Sequence, residues 1–341
     1  MQYCSELAVF PHLSFTNRMK LSVKSLKFRK YHQRFPYSIK SMRFSQSYGP
    51  VNLNGVPEEV GTGELHVESV VFHFAFNEVT NKVKITCSLT PGHERILDDK
   101  SASRKYFQHY LKSSKCSVQH LHLVECDRPF RGMTNLRVPS LTWVLNESRQ
   151  HALFQNFAFD HIFEKLEFVN CRAAALCDRQ TRSAKHLLVE NRGIYEEFVI
   201  GNELTLIAHC FTELKNKLHV IQGFNHMESF IALCIYIEHP RILVGSSFTG
   251  RFKPSPYLKH FLWDTLLKDP KASEGHIQGK LCLVSKLRND FIVAVFQNYF
   301  DDDDEDIESF TVLKLERNME TGVDELSDHL EEVQLHESST S

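Results

Sequence analysis

The 341-residue chain sets 40 Lys and Arg against 42 Asp and Glu, a formal charge of −2, with 42% hydrophobic residues. That balance gives no net basic field to seek nucleic acid or anionic membrane, and the apolar content suffices for a large core, which excludes a wholly disordered chain. The longest apolar run, Phe230 to Ile237, is far shorter than the roughly 18 residues of a membrane-spanning helix.

Residues 1–36 open with no charged flank, apolar stretch and small-residue cleavage site in the order a secretory signal needs, so a cytoplasmic or nuclear protein is expected. From Leu13 to Phe35, basic and apolar positions alternate and end at Pro36, which predicts short helices with Lys and Arg on a solvated face.

Short strands follow from Tyr37. Val118-Gln-His-Leu121-His-Leu123-Val-Glu-Cys126 and Phe163-Glu-Lys-Leu166-Glu-Phe168-Val-Asn-Cys171 fit the leucine-rich pattern LxxLxLxx(N/C) position for position. Ala184 to Arg192 and Lys215 to Gly223 continue it more weakly, and Ser38 to Phe44 resembles an earlier copy. The core positions Leu121, Leu166, Leu187 and Leu218 are unevenly spaced, so the fold class expected is α/β: an irregular leucine-rich-repeat-like strand ladder with packed helices over 37–270.

Two helices are predicted between strands, Ser103 to Ser113 with Tyr106, Phe107, Tyr110 and Leu111 on one stripe, and Tyr257 to Lys268. A C-terminal antiparallel β-meander is predicted over 271–318. Its strands are Ile277 to Lys286, Phe291 to Tyr299 and Ile307 to Glu316, with a self-repelling acidic loop, Asp301 to Asp306, before the last. Residues 319–341 read as an acidic, disordered tail.

Nine cysteines stand singly without a CxxC pair, which fits reduced thiols and no zinc cluster. The usual catalytic and nucleotide signatures, HExxH, GxSxG, GxGxxG and a phosphate loop, are absent, so no enzyme, cofactor or metal is expected. His120 and His122 share one strand face, and with Cys126 would make an N/S ligand set. The repeat pattern accounts for their alternation as solvated histidines.

If the matched strands lie in register, their outward positions form a candidate partner-binding strip: His120, His122, Lys165, Glu167, His186, Leu188, Lys217 and His219. An enzyme, a hydrolase or transferase, would have to gather distant residues such as His186, Cys177 and Asp178. An RNA-binding reading would need Phe28 and Tyr31 exposed beside the basic Lys20 to Arg34 stretch.

The segments Asn17 to Lys30, Phe35 to Phe44 and Val51 to Gly55 resemble the nematode F-box family, in which the end of the F-box runs into a strand, an Asn-Gly turn and a long associated domain. The resemblance implies a degenerate or truncated F-box-like helical segment over 1–36, because the family's Leu-Pro start is absent before Pro11. It implies a non-enzymatic substrate receptor of a cullin-based ubiquitin ligase, with the ligase adaptor and a protein substrate as partners. Leu13, Phe15, Met19 and Leu21 would then lie nearest the adaptor.

Overall fold

The computed structural model describes residues 8–47, 62–77, 80, 82–99, 101–126, 129–130, 133, 136–145, 161–170, 178–190, 216, 218–222, 247–252, 273–277, 280–288, 291–302 and 305–316. It is a mixed α/β protein that divides into two compact units, Met1–Cys171 and Arg172–Ser341.

In the first unit a 3-10 turn, Phe10–His12, leads to helix α1 (Phe15–Lys24) and helix α2 (Leu26–Arg34). Ser14 caps α1 by accepting from the Asn17 backbone N–H, and α2 stops at Phe35, held extended by the proline that follows. Aromatic packing holds the pair. Phe10 stacks on Phe28 at 5.8 Å and meets Tyr31 edge-on at 5.7 Å. Phe15 touches His32, Tyr37 and Tyr110. The basic segment therefore does not present one uniformly solvated face, since Arg18 is only 2% exposed.

His32 illustrates what this packing does to a titratable group. Its ring stacks on Tyr37 at 4.8 Å and its Nδ1 is buried without a hydrogen-bond partner. Burial, helped by the charges of Arg18 and His109, lowers its pKa to about 4. Protonation is thus harder in the folded chain than in the unfolded one, whose His titrates near 6.5. The stabilising contribution is complete above that value and is lost as pH falls from about 6.5 toward 4. The urea midpoint should fall between pH 7 and pH 5, and His32→Phe should flatten part of that decline. An identical acid limb in the variant would remove His32 from the account.

Strand β1 (Tyr37–Ser47) is central in the first unit's sheet. On one side lie β2 (Thr62–Val67), β3 (Val70–Asn77), β4 (Lys82–Cys87) and β5 (Glu94–Leu97), each antiparallel to its neighbour. On the other lie β6 (Cys116–Val124), β7 (Ser140–Val144) and β8 (Lys165–Val169), all parallel. Gly63 permits the close approach of β2 to β1, since a Cβ there would strike the Ser45 carbonyl oxygen.

The parallel strands repeat one arrangement of buried positions. Met42, Leu121, Leu141 and Leu166 pair in one row, and Phe44, Leu123, Trp143 and Phe168 in the next. Three residues before the first row, Ile39, Val118, Val138 and Phe163 are also buried. Beyond the strands, Glu125 and Asn170 occupy the same position of the motif and both turn left-handed, at φ 53° and 57°. The Glu125 N–H donates to Val144 and the Leu145 N–H to Val169, so the same step recurs between successive strands.

Strand β7 is a departure from expectation. Val138-Pro-Ser-Leu141-Thr-Trp143-Val-Leu-Asn146 carries the same nine-residue pattern, and it divides the interval between Leu121 and Leu166 into spans of twenty and twenty-five residues. Helix α3 (Ala102–Lys112) covers the apolar side of the sheet, where Phe107 stacks on Phe44 at 4.5 Å and Tyr106 meets Phe72 and Phe74. This is the aromatic stripe the sequence predicts, spent on packing.

In the second unit, the short helix α4 (Arg179–Ser183) precedes β9 (His186–Glu190), with β10 (Leu218–Gln222) and β11 (Ser247–Phe252) parallel beyond it. The buried Asn216 clamps the end of α4 by donating from Nδ2 to the Thr181 and Ala184 carbonyls at 2.9 and 2.7 Å. The register here corrects the sequence alignment. Leu187 pairs with His219 and His186 with Leu218, one residue away from the equivalence the leucine pattern suggested.

Strands β12 (Ser273–Ile277), β13 (Lys280–Arg288), β14 (Phe291–Asp302) and β15 (Glu305–Glu316) pair antiparallel in succession, and β15 also pairs with β11. The strands run further than expected, for Asp301 pairs with Asp306 and Asp302 with Glu305. Most of the acidic segment is therefore strand and not loop. The helix predicted over Tyr257 to Lys268 and the tail over 319–341 lie outside the described residues.

Candidate functional site

The polar side of the first unit's sheet brings together the part of the candidate strip that falls on β6 and β8. Parallel pairing places His120 beside Ser140 and Lys165, and His122 beside Thr142 and Glu167. Because paired residues share a face, one row reads His66, Arg43, His122, Thr142, Glu167 across five strands. Ser140 and Thr142 belong to the site, and the unrecognised repeat on β7 is the signal that would have found them.

Solvated histidines were expected here, and the structure corrects that. His120 and His122 are half-buried, Thr142 is 8% exposed and Glu167 is 6% exposed. A hydrogen-bonded chain explains how this face tolerates a buried carboxylate. The Thr142 hydroxyl donates to Glu167 Oε2 at 3.1 Å, and Lys165 Nζ lies 3.5 Å from the same oxygen.

The proton positions of His120 follow. Thr142 has one hydroxyl hydrogen, already given to a carboxylate, so toward His120 Nε2 at 3.3 Å it presents a lone pair. The imidazole proton then sits on Nε2, and Nδ1 accepts from the Ser140 hydroxyl at 2.8 Å. Ser140, His120, Thr142 and Glu167 form one directed relay. Burial lowers the pKa of His120, with Glu167 opposing, and burial together with Arg43 and His120 lowers that of His122. Both rings are thereby held neutral near pH 7, and His122 keeps a buried Nε2 with no hydrogen-bond partner.

The remaining strip residues belong to the second unit. His186 is exposed and Leu188 half-buried on β9 of the second unit, while Lys217 lies outside the described residues. His219 shares the row of the buried Leu187, which takes it out of the row of His186. Of the alternative catalytic set, Cys177 lies outside the described residues, Asp178 precedes α4 and His186 is exposed on β9.

Among the described residues, His120, His122 and Cys126 are not brought together as a ligand set. Cys126 is a buried thiol with its Sγ 3.2 Å from the carbonyls of Phe44 and Val124, and no group of three His, Cys, Asp or Glu among the described residues could hold an ion. Cys116 is buried too, which pushes its thiol up to about 12 and makes it inert at neutral pH.

At the helical end, the four adaptor-facing candidates divide. Phe15 is 1% exposed and belongs to the internal aromatic cluster, so it is not a surface residue, while Leu13, Met19 and Leu21 are half-buried. The apolar side chains that do face outward are Val9, Val23 and Leu26, the last 63% exposed. Tyr31 is buried and Phe28 half-buried against Phe10, so neither offers the exposed stacking surface an RNA-binding reading requires.

No helix among the described residues is long and apolar enough to cross a membrane. No protein-family model, curated protein or solved structure matches the chain.

Proposed function

We propose that the chain is a non-enzymatic protein-interaction module: a leucine-rich-repeat-like ladder followed by a β-meander, serving as an F-box-type substrate receptor of a cullin-based ubiquitin ligase in the cytoplasm or nucleus. The observation that carries the interaction reading is the continuous polar row from His66 to Glu167, built from in-register strands whose other face is apolar. The row is open to a protein partner at Arg43 and partly open at His66 and His122, whereas Thr142 and Glu167 at its other end are buried and brace it from within. The relay through Ser140, His120, Thr142 and Glu167 holds its polar groups in place without a mobile loop.

The receptor reading is supported by the helical pair that precedes the ladder and leaves Val9, Val23 and Leu26 outward, an apolar exposure of the kind that marks association sites. The test is a pull-down of the full chain with the ligase adaptor subunit, comparing the native chain with Leu26→Asp and with Val23→Asp. Both positions are exposed, so the fold should survive, as circular dichroism will verify. Adaptor binding by the native chain and its loss in either variant support the receptor reading. No binding by a folded native chain sinks that reading and leaves only the interaction module.

A further inference from the structure

Several of the described charges on the polar side of the first sheet are paired with one another. Lys82 pairs with Asp98 at 3.2 Å, Lys84 with Glu94 at 2.5 Å, and Lys165 with Glu167. Glu64 is taken twice, by His66 Nε2 at 2.9 Å and by His73 Nδ1 at 3.0 Å. Arg43 stands among these residues exposed, and no described carboxylate lies within ion-pair distance of its guanidinium.

Its in-register neighbours are imidazoles on both sides, His66 on β2 and His122 on β6, and along its own strand Ser41 and Ser45 occupy the same face. Strand spacing places each neighbour about 4.8 Å away across the sheet. The groups beside the guanidinium in the sheet are hydroxyls and imidazoles, and Glu64, opposite Ser45, already serves two histidines. A guanidinium so placed has its whole donor fork available, and that fork matches the two oxygens of a carboxylate.

We propose that Arg43, between His66 and His122, receives an acidic side chain of a protein partner and fixes that partner's register on the ladder. The inference rests on the interaction reading above and names the chemistry of the partner. The charge complementarity is local: Arg43 offers an unpaired positive charge on the middle strand of the described row, with hydroxyls and imidazoles beside it to hydrogen-bond the rest of an oxyanion.

The experiment uses the full chain and a fluorescein-labelled Gly/Ser peptide with central glutamates, with the glutamine version of the peptide as control, followed by fluorescence anisotropy at low and moderate salt. The glutamate peptide should bind and the glutamine peptide should not. Arg43→Gln should weaken binding about tenfold, the loss of one charge-assisted bidentate bond, with Arg43→Lys between the two. Rising salt should weaken the native chain more than Arg43→Gln. Equal binding by Arg43→Gln, or equal binding of the two peptides, overturns the assignment. The adaptor pull-down is read separately, so its success beside a failed peptide titration removes Arg43 alone.

Discussion

Replacing Trp143 by alanine is expected to destabilise the first unit by about 3–5 kcal/mol, the range for emptying a buried indole from a close-packed core. Trp143 is 1% exposed and is the largest fully buried side chain of the described residues. It meets Phe130 edge-on at 5.9 Å and Phe168 at 6.5 Å, and it shares its row with Leu123 on the neighbouring strand. The cost should be near the upper end because the row is rigid. Backbone hydrogen bonds hold β7 between β6 and β8, so the strands cannot close over the void. Urea unfolding followed by far-UV circular dichroism measures the change, and Trp143→Phe should recover at least half of it. A loss under about 1 kcal/mol would mean that the row repacks and is not the rigid element described.

That row also shows what the sequence could and could not reveal. The two strongest matches to the leucine pattern, at Val118 and Phe163, lie on β6 and β8 as the alternation of buried and open positions demands. The repeat at Val138 escaped because Pro139 and Trp143 stand where a leucine-based template expects something blander. The structure admits both, since the Pro139 carbonyl accepts from the Glu164 N–H at 2.8 Å and Trp143 fills the core. The antiparallel strands β2 to β5 were not individually legible, because strands of four to eight residues with polar outward positions give weak periodicity.

On the site, residue type and spacing gave the outward positions of β6 and β8 but not their burial or their partners. Those depend on Ser140 and Thr142, which lie twenty or more positions from the residues they bond. The alignment at Leu218 failed by one residue, and in a period-two structure a one-residue slip exchanges the faces. Arg43, proposed above to receive a partner's acid, was not legible in the sequence because its distinction is the lack of a described carboxylate within ion-pair distance. Only the three-dimensional pairing of the charges around it exposes that.

Arg18 is the residue whose loss should be felt furthest. On sequence it is one of several basic residues along an amphipathic helix, yet its side chain is buried and its fork is divided among three backbone carbonyls. Nε donates to Leu13 at 3.1 Å, Nη1 to Pro36 at 2.8 Å, and Nη2 to Pro11, while the guanidinium lies 5.4 Å from the Phe10 ring centre. One side chain thus ties the turn before α1 to the chain that leaves α2 for β1. Arg18→Met keeps most of the apolar stem and removes all the donors, leaving up to three partly buried carbonyls unsatisfied, at about 1–3 kcal/mol for each that water cannot reach. The expected loss is about 3–5 kcal/mol in urea unfolding, together with rapid proteolysis of residues 8–36. Arg18→Lys should rescue little, since a single ammonium cannot span three carbonyls set in a fork. For the adaptor contact proposed above, the contrast with Leu26→Asp separates two ways of losing it. Arg18→Met should abolish binding by melting the helical pair, whereas Leu26→Asp should abolish it with the pair still protected. Retained protection of residues 8–36 in Arg18→Met would show that water satisfies those carbonyls and that aromatic packing alone holds the helices.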